Sequence, residues 1–122
     1  MTIYEKYYEY ENIQPGDLVS LEPITGKVQL SCNKFLNKDK NIIGVCKSVT
    51  GNTIEVVFKG ITDVNVIGNI GLGDRLTSSE EKGKAKAIRY GQDVTQFNVP
   101  VIGKVIGIYN VYNKAKVLLD IE

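Results

Sequence analysis

The chain of 122 residues contains no histidine and no tryptophan, one methionine, two cysteines and three prolines. Histidine is the commonest general base near neutral pH and the commonest metal ligand, so its absence removes Ser-His-Asp and Cys-His catalysis and most zinc and iron sites. The expectation is a protein that is not an enzyme, with no catalytic residues, no cofactor and no metal. Cys32 and Cys46 form no Cys-x-x-Cys pair, and both are expected reduced and buried. Neither sign of charge is in excess: 15 Lys and Arg face 14 Asp and Glu, a net charge of +1. No global field attracts nucleic acid or a membrane, and neither is expected as a partner. Residues 1–12 are charged and Tyr-rich without an apolar run, which argues against a signal peptide or a membrane span.

What the chain has in plenty is branched side chains. Val, Ile and Thr supply 35 residues against 3 Ala and 8 Leu. Such residues suit a pleated surface and crowd a helix, so the chain reads as all-β. Pro15-Gly16-Asp17 is a turn that opens a strand at Leu18–Leu21, Thr25-Gly26 turns the chain, and Val28, Leu30 and Cys32 alternate with polar residues. Ile42–Val49 reads as a core strand. After the turn at Gly51-Asn52, Ile54, Val56 and Phe58 are expected on one face and Glu55, Val57 and Lys59 on the other.

The pattern then begins again. Gly73-Asp74 echoes Gly16-Asp17 and Gly83-Lys84 echoes Gly26-Lys27, each at a spacing of 57 residues; Ile102-Gly103 echoes Ile43-Gly44 at 59. Two copies are too few for a solenoid. The expected architecture is a single small β-barrel or sandwich over residues 15–122, built from two pseudo-repeated halves of about 15–60 and 72–122, with residues 1–14 as an N-terminal arm. Glycines inside the strands, at Gly44, Gly103 and Gly107, are expected at bulges or corners of a curved sheet.

Residues Thr2–Gln14 carry Tyr4, Tyr7, Tyr8 and Tyr10 interleaved with Glu5, Glu9 and Glu11. Tyr offers large contact area and a polar tip, so these four tyrosines are the candidate partner-binding residues of a docking arm; the same segment reads equally well as a first strand or a cap. Other motifs lead nowhere. Gly68–Gly73 lacks the Lys-Ser or Lys-Thr of a phosphate loop and reads as a mobile turn between the halves. Asp17 and Asp74 follow Gly at strand entrances, where Asp bonds its own backbone. Lys82, Lys84, Lys86 and Arg89, like Lys34, Lys38 and Lys40, read as a solvated edge.

The order Gly16-Asp17, Ile43-Gly44-Val45, Gly60, Gly73-Asp74 and Ile102-Gly103, spanning roughly Gln14 to Val105, resembles small virion proteins of tailed bacteriophages, head-decoration proteins first and tail-fibre or spike β-domains second. The resemblance implies a virion subunit that trimerises and caps a shell lattice through an extended arm, here Thr2–Gln14, with itself and a major capsid or tail protein as partners. The alternative it implies is a tail-fibre or baseplate domain binding a partner protein or a host cell-surface glycan, with Tyr90, Tyr109 and Tyr112 lining a shallow sugar site.

Overall fold

A computed structural model describes residues 2–32, 41–88, 100–109 and 113–121. Its ten strands are β1 (Thr2–Glu5), β2 (Leu18–Leu21), β3 (Val28–Leu30), β4 (Ile42–Thr50), β5 (Thr53–Val57), β6 (Lys59–Asn65), β7 (Arg75–Ser78), β8 (Ala85–Ala87), β9 (Gly103–Ile108) and β10 (Lys114–Asp120). They form two antiparallel five-stranded sheets, in the orders β1-β5-β4-β2-β3 and β6-β10-β9-β7-β8. The second order is the first with every strand advanced by five, so the internal repeat is a repeat of topology. The fold is all-β and sandwich-like, and neither sheet closes as a barrel. Each sheet curls, and one isolated parallel bridge links the segment after its first strand to its last strand, Lys6 to Val28 and Val66 to Ala85.

The repeat reaches further than the glycine spacing suggests. β6 is the counterpart of β1, so the halves run from Thr2 to Val57 and from Lys59 to Asp120, and they join at Phe58. Residues 68–73 accordingly lie inside the second half, after its first strand, and do not connect the halves. Thr2–Glu5 is the edge strand of the first sheet, paired with β5 from Thr2 opposite Val56 to Glu5 opposite Thr53. Phe58 departs from the expected face: β5 ends at Val57, the alternation stops there, and the ring is left exposed at the junction.

Equivalent backbone details recur in both halves. Gly44 lies so close to β5 that a Cβ would sit 2.4 Å from the Val57 carbonyl oxygen, and a Cβ on Gly103 would sit 2.4 Å from that of Leu118. These glycines are required by close strand approach. The register shifts past Cys46 in β4 and at the matching place between β9 and β10, two bulges that deepen the local twist.

Two apolar clusters hold the molecule together. Ile13, Val19, Val28, Cys46, Ile54 and Val56 fill the concave side of the first sheet. The second cluster takes the matching residues of the second half, among them Leu76, Val105 and Val117, and adds Leu18, Ile42 and Val45 from the opposite face of the first sheet. The first sheet is therefore covered on both faces where β2 and β4 run. Full burial of Leu18 or Val45 contributes about 2 kcal/mol each by area removed from water.

Candidate functional site

The segment that follows β1 is pinned at several points. The backbone N–H of Lys6 donates to Asn52 O at 2.9 Å and that of Tyr7 to Val28 O at 2.8 Å; Leu30 N–H donates to Glu11 Oε1 at 2.8 Å, and Ile13 is buried beneath. Between these anchors the tyrosines divide. Tyr4 stands opposite Ile54 in the ladder and packs on the first cluster, because strand alternation turns it inward. Tyr7, Tyr8 and Tyr10 project outward and touch one another. Tyr7 meets Tyr8 edge to face with ring centres 4.7 Å apart, and Tyr8 lies 5.4 Å from Tyr10, whose side chain is 84% exposed. Three of the four candidate tyrosines thus form one exposed aromatic group on an anchored backbone, and the fourth, Tyr4, belongs to the core side of β1.

The matched aspartates each accept a hydrogen bond from the backbone three residues earlier, Gln14 N–H to Asp17 Oδ2 at 3.0 Å and Gly71 N–H to Asp74 Oδ2 at 2.7 Å. They differ in what lies around them. Asp17 is buried, and its other carboxylate oxygen is met by Asn65 Nδ2 at 2.8 Å and the Lys84 ammonium at 3.6 Å, both from the second half. Asn65 also donates from Nδ2 to Pro15 O at 3.2 Å and from its backbone to Gly16 O at 2.8 Å. Leu18 N–H donates to Gly83 O, and Gly83 N–H to Ser31 O, both at 2.8 Å. The hairpin between β7 and β8 is therefore seated on the first half, and Lys84, expected on a solvated edge, is an ion-pair partner of a buried carboxylate. Lys86 pairs with Glu80 at 3.7 Å. Lys34, Lys38, Lys40 and Arg89 lie outside the described residues.

This junction was not readable from motif spacing, since Asp17 and Asn65 are 48 residues apart. One sequence signal does bear on it: at the 57-residue spacing Leu18 is matched by Arg75, an apolar residue by a charged one. The face around Arg75 is open. A cleft of about 590 Å³ is lined there by Arg75, Val101, Lys104, Leu118, Asp120 and Ile121, among others.

Both cysteines are free thiols. Cys46 is buried, and burial first, with the Asp17 charge second, pushes its thiol up to about 11. Cys32 is only half-buried and donates to Glu80 O at 3.4 Å. Among the described residues, no group of three or more Cys, Asp or Glu is placed to hold a metal ion. Of the tyrosines named for a sugar site, Tyr90 and Tyr112 lie outside the described residues; Tyr109 donates to Asp63 Oδ1, and that hydrogen bond, followed by burial, raises its phenol above the usual range. In comparisons with protein-family models, curated proteins and solved structures, nothing matches the chain.

Proposed function

We propose that the chain is a non-enzymatic virion subunit of a tailed bacteriophage, a capsid decoration protein that assembles as a homo-oligomer, a trimer by preference, on the particle in the host cytoplasm. The observation that carries this reading is the exposed group of Tyr7, Tyr8 and Tyr10 on a pinned backbone, beside the outer edge of β1. Anchored aromatic rings supply contact area at little entropic cost, and an edge strand can accept a strand from a major capsid or tail protein through main-chain hydrogen bonds. A subunit that binds only the assembled shell stabilises it by mass action and needs no reactive side chain.

The test is mass spectrometry of particles banded from a culture carrying the gene. The chain is expected on heads at a fixed copy number, and a folded variant with Tyr7, Tyr8 and Tyr10 all changed to Ala is expected to be lost from them. Recovery on tails alone, with binding to host glycans, replaces this reading by the tail-fibre one. Absence of the wild-type chain from both heads and tails overturns the virion reading altogether.

A further inference from the structure

The two halves are alike in topology but are packed head to tail. The second half offers its β7–β8 hairpin tip and the end of β6; the first half receives them on the face formed by Gly16, Asp17, Leu18 and Ser31. A two-fold contact would use the same patch on both halves, and here two different patches meet. Each half carries both patches by homology of fold, so one of each is left over.

The leftover patches are identified by burial. On the receiving side, Leu18, Val45, Ile42 and Gly16 are buried in the first half, whereas their counterparts Arg75, Lys104, Val101 and Gly73 are exposed in the second. Leu118, the counterpart of half-buried Val57, is 46% exposed, and Arg75, Val101, Lys104 and Leu118 line the open cleft, with Gly73 close to Arg75 in the chain. On the offering side, Gly83, Asn65 and Val66 are buried in the second half. Their counterparts Gly26 and Glu5 are exposed and Lys6 is half-buried in the first. A Cβ on Gly26 would touch nothing within 4 Å, and neighbouring Ile24 is 91% exposed.

We infer that the β2–β3 hairpin tip of one copy, with Glu5 beside it, seats in the Arg75–Lys104–Leu118 cleft of a second copy, repeating between chains the contact that joins the halves within one. Charge follows the same plan. Lys27, the counterpart of Lys84, meets Asp74 as Lys84 meets Asp17; Glu5, the counterpart of Asn65, comes to the same Asp74 turn, and Lys27, already 3.6 Å from Glu5 in the single chain, stands as the cation between the two carboxylates. A head-to-tail contact propagates, closing as a ring when its rotation allows and running on as a filament when it does not. A trimeric ring would carry six lobes in near-equivalent positions. This deepens the proposed homo-oligomer by naming its interface.

Light scattering coupled to size exclusion tests it with two variants. Ile24→Glu with Lys27→Glu spoils the tip; Arg75→Glu with Leu118→Glu spoils the cleft. All four positions lie outside the cores, and thermal unfolding of each variant checks that it is folded. The wild type is expected at a multiple of 13.5 kDa, each variant alone at 13.5 kDa, and an equimolar mixture at twice that mass, because one tip and one cleft remain intact and chain growth stops at the heterodimer. A wild type that is monomeric at its highest soluble concentration overturns the inference, as does an oligomer that survives in either variant or a mixture that stays monomeric. A surviving oligomer leaves the proposed function standing, whereas loss of the chain from particles removes that function and leaves this contact testable.

Discussion

At the scale of single residues, two positions at which the halves differ have consequences that can be measured. Cys46 occupies the position that Val105 holds in the second half, in the apolar interior of its own sheet. The folded chain keeps the thiol proton more tightly than the unfolded chain does, so raising the pH from about 9 to about 11 pulls towards unfolding. Cys46→Val, which copies the other half, is expected to flatten this alkaline loss of stability relative to wild type, measured as urea midpoints across that range. A thiol reagent at pH 8 is expected to label Cys32 before Cys46. Asn65 is the second telling residue. Asn65→Ala removes a hydrogen bond to a buried carboxylate and is expected to cost about 2 kcal/mol, read from the urea midpoint at neutral pH. Asn65→Asp is expected to cost more, since it sets a second negative charge against Asp17.

At the scale of strands, the repeated glycines carry the clearest consequence. Gly44→Ala and Gly103→Ala each drive a Cβ into a backbone carbonyl that cannot swing aside as a side chain would. Each is expected to cost on the order of 3 kcal/mol or to prevent folding, whereas Gly26→Ala bears only its own positive φ. Most strands were legible in the sequence because alternation and Gly-Asp or Gly-Asn turns bracket them. Leu18–Leu21 and the strand from Ile42 are read directly. The kinship of β1 with β6 was not legible. Glu5 faces solvent and Asn65 faces Asp17, Ile3 is matched by Asp63, only Thr2 and Thr62 are the same residue, and the spacing is 60 where the Gly-Asp turns show 57. The tyrosines were legible as a group, but the inward turn of Tyr4 depends on its ladder partner Ile54, half a chain away.

At the scale of the whole molecule, the two ends of the described chain meet at the junction. Thr2 pairs with Val56, and Ile121 N–H donates to Phe58 O at 3.0 Å. A permuted chain that starts at Lys59, passes through Glu122 and a short flexible linker to Met1, and ends at Phe58 keeps every strand pair. It is expected to give the same circular dichroism spectrum and a thermal midpoint within a few degrees of wild type, since loop closure changes little with a few added residues. A permutant that fails to fold would mean that the order of synthesis, not the set of contacts, secures the lobe junction.

The carboxylate of Asp17 belongs to one lobe but is neutralised from the other, by Asn65 and Lys84. Should the second lobe open first, the first would be left with an unpaired charge and with Leu18, Ile42 and Val45 in water. A state with one lobe open is therefore costly, and the chain is expected to unfold as one cooperative unit. Calorimetry is expected to record a single transition, and the amide protons of β2 and β7, although in different sheets, to exchange with solvent at one common free energy.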